Sequence, residues 1–225
     1  MALPLHALLR LTPYLKGAQV LSLSYPDLLI PEKVLEQHFK IIPTMFTDKG
    51  DYHKVPYKLP ETRDVFKQLG ATLHITDVVA ATGFEDIIDL NYEADIGQFD
   101  VVIDPGTVEH CFNVGQAFLN AAHAVKPGGI IYHISPMDMI NHGFYNFNPT
   151  LFHDFYTQNG WEIIELNIVS ETPNHFSVSA RFFSKYEHNI ICIARRKGFQ
   201  RMKFPVQAKY LKAFQKYEEE KREAA

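Results

Sequence analysis

The feature that most constrains this chain is an alternation of two periodicities. Short apolar runs of strand length recur over residues 18–24, 71–79, 86–90, 99–103, 129–135, 161–169 and 188–194. Segments with helical spacing fall at 5–16, 32–40, 63–69, 114–125 and 149–158. The motif Lys126-Pro-Gly-Gly129 is expected to stop the 114–125 helix, because proline removes a donor and glycine tolerates the left-handed turn. Strands that alternate with helices predict an α/β fold, with a mostly parallel sheet covered on both faces. Only a polar loop, 170–187, separates the last two runs, so they are expected to pair antiparallel at one edge. In such sheets ligands bind outside the carboxyl ends of the strands, near the point where strand order reverses. The residues that follow each strand are therefore the ones to weigh.

The 225 residues are 46% hydrophobic and 21% charged, which suits one folded domain with a large core. That domain is expected over 1–198. Within it, 41–62 is broken by Pro43, Gly50, Pro56 and Pro60 and reads as a cap or loop insertion. A charged C-terminal helix is expected over 199–225. Its ring-bearing stripe Tyr210, Leu211, Phe214 and Tyr217 would pack on the domain or on a second copy, making a homo-oligomer. A net charge of −4 argues against a chain-wide basic surface, so no nucleic-acid partner is expected. No apolar run approaches the ~20 residues of a membrane span. Two cysteines, Cys111 and Cys192, and no leader-like start point to the cytoplasm.

Four stretches carry a resemblance. These are Phe99-Asp-Val-Val-Ile-Asp-Pro-Gly-Thr-Val-Glu-His110, Ala124-Val-Lys-Pro-Gly-Gly-Ile-Ile131, Asn141-His-Gly-Phe-Tyr-Asn-Phe-Asn-Pro149, and Thr150-Leu-Phe with Asn159-Gly-Trp161. In order and spacing they resemble the class I S-adenosylmethionine-dependent methyltransferases, over about 18–195. The resemblance implies a Rossmann-like sheet of seven strands with an antiparallel seventh. It also implies S-adenosylmethionine as cofactor and a small-molecule acceptor. One departure stands out: the loop after the first strand, Ser22-Leu-Ser-Tyr-Pro-Asp27, has no glycine where the family is glycine-rich. Side chains there restrict how closely a ligand approaches the backbone.

The resemblance places cofactor contacts at Ser24, Tyr25, Asp77, Asp89, Leu90, Asp104 and Gly106. Asp77 would accept hydrogen bonds from the ribose hydroxyls, or else cap a turn. Asp89 would meet the adenine edge with Leu90 against its face, or else form a local Asx turn with Asn91. Asp104 would lie beside the reacting centre, or else be a structural turn residue that pairs with local backbone. His142, in a loop of glycine and aromatic residues, is the leading candidate for a general base, with His110 and Asp104 near it. His110 also fits a scaffolding role beside Glu109, and His133, inside an apolar strand, reads as a satisfied core histidine. His110, Cys111, His133 and His142 lack the tight spacing of a metal site, so no metal is expected.

The chain is thus expected to be a methyltransferase for an oxygen or nitrogen acceptor. The alternative is a protein of the same fold without catalysis, serving in binding or assembly. The absence of Gly-x-Gly-x-x-Gly argues against a dinucleotide enzyme.

Overall fold

The computed structural model describes residues 1–139, 141–170, 188–199 and 201–205, with Gln215, Glu219 and Arg222 beyond them. The loop expected over 170–187 lies, but for its first residue, outside the described residues, as does most of the expected C-terminal helix with its aromatic stripe; 199 and 201–205, which are described, are not helical.

Seven strands form the central sheet: β1 (Gln19–Leu23), β2 (Thr72–Asp77), β3 (Glu85–Ile87), β4 (Phe99–Asp104), β5 (Val125–Pro136), β6 (Glu162–Ser170) and β7 (His188–Arg195). Their order is β6-β7-β5-β4-β1-β2-β3. Pairing is parallel from β5 to β3, while β7 runs antiparallel to both β5 and β6. The fold is therefore the expected α/β sheet with an antiparallel last strand. Strand order reverses between β1 and β4, which opens a crevice at their carboxyl ends.

Among the described residues five α-helices cover the sheet: α1 (Leu5–Leu11), α2 (Glu32–Phe39), α3 (Thr62–Gln68), α4 (Val114–His123) and α5 (Pro149–Gln158). The two-residue period of a strand assigns them to two layers. Val101 and Ile103 of β4 face a core built with Leu8 and Leu11 of α1, Leu35 of α2 and Phe66 of α3. Val102 between them faces the other core, built with Phe118 and Ala121 of α4 and Phe152 and Phe155 of α5. Both faces of the strand are buried, which is why its sequence is a continuous apolar run and not an alternation.

Two helix starts follow from local chemistry. Asn148 caps α5 by accepting from the Thr150 amide, and Pro149 occupies the first position, where no donor is needed. Glu61 caps α3 through the Asp64 amide.

The Lys126-Pro-Gly-Gly129 motif differs from expectation. The helix has already ended at His123, and the motif lies inside β5 as a bulged entry. Its glycines serve the strand. Gly128 has φ of +85° and donates to the Arg196 carbonyl. A Cβ on Gly129 would lie 2.7 Å from the Asp100 carbonyl oxygen, so only glycine lets β5 approach β4 there.

Short pairings set the walls of the crevice. Ala2–Leu3 runs parallel to Asp27–Leu28, and Phe46–Thr47 pairs antiparallel with Leu59–Pro60, closing 41–62 into a cap. Residues 201–205 fold back on the end of α5, where the Asn159 side chain bonds both the amide and the carbonyl of Lys203. Among the described residues no helix is long and apolar enough to cross a membrane.

Candidate functional site

A cavity of about 600 Å³ opens at the carboxyl ends of β1, β2 and β3 and extends to the loop after β4. This is the position that the reversal of strand order predicts, and the volume is that of a small-molecule site. Asp48, Lys49 and Tyr52 reach it from the 41–62 segment, so this segment caps the site.

The glycine-free loop after β1 still makes the turn that glycine would make. Ser24 carries φ of +81°, a left-handed conformation that costs a non-glycine residue roughly 1–2 kcal/mol. Its neighbours hold it there. The Ser24 amide donates to the Thr76 carbonyl at 2.6 Å, the Ser22 hydroxyl donates to the Ser24 carbonyl, and the Ser24 and Thr107 hydroxyls are 2.9 Å apart. The Thr107 hydroxyl in turn donates to the Leu23 carbonyl. Ser24 and Tyr25 both line the cavity. The Tyr25 hydroxyl donates to Glu61 at 2.5 Å, which fixes the ring and, with burial, raises its pKa.

Asp77 and Asp89 line the cavity together with Leu90. Asp77 Oδ1 accepts from the Val78 and Val79 amides, and Asp89 Oδ1 accepts from the backbone and side chain of Asn91. Each carboxylate thus makes the local turn that was the alternative reading, and each also faces the cavity.

Asp104 takes the alternative, structural place. It is fully buried and does not line the cavity. Oδ1 accepts from the Thr107 amide at 2.7 Å, and Oδ2 meets His133 Nδ1 at 2.7 Å. Its carboxylate anchors the loop that carries the site. His133 is fully buried, stacked on Phe118 and bonded at both nitrogens, as a core histidine should be. Gly106 likewise works beneath the cavity: its φ is +93°, and a Cβ would lie 2.9 Å from Glu109 Oε1.

Beside the cavity three groups converge. His110, which lines it, and His142 have ring centroids 5.2 Å apart. Glu109 is fully buried, and His142 Nε2 lies 3.6 Å from its Oε1. Among the described residues no donor lies within 3.5 Å of either Glu109 oxygen in hydrogen-bonding geometry. Burial raises its pKa to about 7, and the Asp104 charge adds to this, while His142 opposes it. Burial and then the neighbouring His142 lower the pKa of His110, favouring its neutral, basic form. Burial pushes the Cys111 thiol up to about 12, so it is no thiolate at neutral pH.

Spacing along the chain could not show this convergence, since His142 lies in the loop after β5 and the other two in the turn after β4. The turn and loop are joined by the Phe144 amide, which donates to the Glu109 carbonyl at 2.9 Å.

Sequence reasoning also missed a charged cluster at the other end. Asp27, nearly buried, meets Lys49 Nζ and His53 Nε2, each at 2.9 Å, and Lys49 also lies 4.3 Å above the Tyr25 ring. The only sequence signal was an acidic residue closing a glycine-free loop.

No protein-family model and no curated protein matches the sequence. Among solved structures the chain is similar to TehB from Haemophilus influenzae, with 13% identity, 74% of this chain and 67% of that one covered, and a TM-score of 0.49. It is also similar to the N-methyltransferase NodS from Bradyrhizobium japonicum WM9, with 14% identity, 86% and 94% covered, and a TM-score of 0.48. A third is the 1,6-didemethyltoxoflavin-N1-methyltransferase of Burkholderia thailandensis, solved with 1,6-didemethyltoxoflavin and S-adenosylhomocysteine, with 13% identity, 84% and 77% covered, and a TM-score of 0.46.

Proposed function

We propose that this chain is an S-adenosylmethionine-dependent methyltransferase that acts on an oxygen or nitrogen of a small molecule. The observation that carries the proposal is the cavity itself. It lies at the strand-order reversal, with two strand-end carboxylates on one wall and a histidine cluster at its edge.

The residues present suit the parts of that cofactor. Asp77 takes the ribose hydroxyls, and Asp89 with Leu90 takes the adenine. Asp27 and Lys49 are of opposite charge and share the wall near Tyr25, which suits the amino and carboxylate groups of a methionine end. When bound, the cofactor supplies an electrophilic methyl on a sulfonium, which the acceptor's lone pair displaces in line.

The chain's own part is positioning and proton removal. The 41–62 cap limits water, and the turn anchored by Asp104 sets His110 at the cavity wall. His142, paired with Glu109, receives the acceptor's proton. Buried Cys111 and Cys192 fit the reducing cytoplasm.

Calorimetric titration with S-adenosylhomocysteine tests the reading. Saturable binding that weakens at least tenfold in Asp77→Ala supports it. No heat at millimolar ligand refutes it and leaves the non-catalytic alternative.

A further inference from the structure

Glu109 poses a problem of charge. It is buried, and among the described residues no donor lies within 3.5 Å of either oxygen in hydrogen-bonding geometry. A buried carboxylate in that condition is costly unless a cation faces it. Two glycines keep its surroundings open. A Cβ on Gly106 would lie 2.9 Å from its Oε1, and one on Gly143 would lie 3.1 Å from its Cγ. Glu109, His110 and His142 each present one ligand atom, and these three atoms lie within 4.8 Å of one another.

We propose that Glu109, His110 and His142 bind a divalent first-row transition ion, zinc in the first instance, at the edge of the cavity. Two imidazoles and one carboxylate make a three-ligand set that leaves a position open, as in catalytic zinc sites. Imidazole donors disfavour magnesium and calcium, which take oxygen ligands. Ligands about 2.1 Å from a tetrahedral ion stand roughly 3.4 Å apart. The 3.6 Å between His142 and Glu109 is already close to that, and the His142 side chain is 43% exposed. His110 lines the cavity, so the open position faces its contents. An acceptor hydroxyl or amine that occupies it is held and acidified by the ion; with His142 engaged as a ligand, the proton leaves to solvent water and not to that imidazole. The inference deepens the proposed function by naming the acceptor class, a small molecule with a metal-binding oxygen or nitrogen, and it rests on that reading only for this use.

The test is a titration of chelator-treated full-length protein with zinc chloride, followed by calorimetry, and with cobalt chloride, followed by visible absorption. One zinc per chain with micromolar or tighter affinity, and a cobalt band typical of nitrogen and oxygen ligands, are expected. Glu109→Gln and His142→Ala should each weaken zinc binding at least tenfold, while magnesium chloride gives no saturable heat. Circular dichroism checks that each variant is folded, and the exposed His142 gives a usable variant should Glu109→Gln fail. Absence of zinc binding, or affinity unchanged in a folded variant, overturns the inference. S-adenosylhomocysteine is titrated in parallel: its binding without zinc binding sinks the metal site alone, and zinc binding without it sinks the methyl-transfer reading alone.

Discussion

Asp104 and His133 are joined by a hydrogen bond with no exposed surface on either side chain, with Oδ2 and Nδ1 2.7 Å apart. The proton positions along this chain follow from its far end. Burial raises the Tyr156 pKa well above its ordinary value, so its hydroxyl keeps its proton and donates to His133 Nε2 at 2.5 Å. Nδ1 then carries the ring proton and donates to Asp104, whose other oxygen caps the Thr107 amide. Strand β5, helix α5 and the turn under the cavity are thereby tied through one carboxylate.

Replacing that carboxylate by an amide should be costly. In Asp104→Asn an amide group meets the His133 N–H, or else the Thr107 amide, with donor facing donor. A buried donor left unsatisfied costs about 1–3 kcal/mol. Chemical denaturation should read a loss in that range. Tyr156→Phe, which strands only Nε2, should lose about 1–3 kcal/mol.

Ser24 separates strain from hydrogen bonding. Ser24→Gly relieves the left-handed φ of +81° and loses the hydroxyl contact with Thr107, whereas Ser24→Ala loses the contact and keeps the strain. The glycine variant should therefore be more stable than the alanine variant by about 1–2 kcal/mol, by denaturant midpoint. It should also bind S-adenosylhomocysteine at least as tightly as the parent chain, because the Cβ is gone.

Much of this fold is legible in the sequence because it rests on periodicity. Phe99–Asp104 and Pro149–Gln158 emerge within a residue of their expected limits. Lys126-Pro-Gly-Gly129 misled because its glycines answer to a long-range contact, the Asp100 carbonyl of the next strand, and not to the helix before them. The site was legible only in part. Asp77, Asp89 and Leu90 follow strands and so point to the cavity by register. Asp104 does as well, yet its side chain turns into the core toward His133, a partner 29 residues away. Glu109 and His142 meet only because two loops are joined by a backbone bond, which no spacing rule reports. Asp27 and Lys49 meet through the fold of the cap, the least regular stretch of the chain.

Lys49 should serve both binding and stability. Lys49→Met keeps the apolar stem but removes the charge that faces nearly buried Asp27. S-adenosylhomocysteine affinity should fall at least tenfold by calorimetry. A Lys49→Arg variant should recover most of it, since the charge is restored at the same end of the cavity.

Gly128 and Gly129 should respond oppositely to substitution. Gly128 has positive φ and open space around its missing Cβ, so Gly128→Asn, which tolerates that conformation, should cost little. Gly129→Ala places a Cβ 2.7 Å from a backbone oxygen that only a shift of β4 can relieve. The melting temperature should drop clearly in the second variant and by far less in the first.

Acid should reveal the link between β1 and β4. Asp100 accepts from the Gln19 amide at 2.8 Å and from Lys126 at 2.9 Å, and these bonds hold its carboxyl below the ordinary value of 3.8. Because the folded-state pKa is depressed, the stabilising contribution is complete above the unfolded-state value and disappears as the pH falls through the lower folded-state value. Asp100→Asn should therefore melt below the parent chain at pH 7, and the gap should narrow as the pH approaches 3. A gap of constant size down to pH 3 would show that the bond to Gln19, and not the charge, carries the stability at this position.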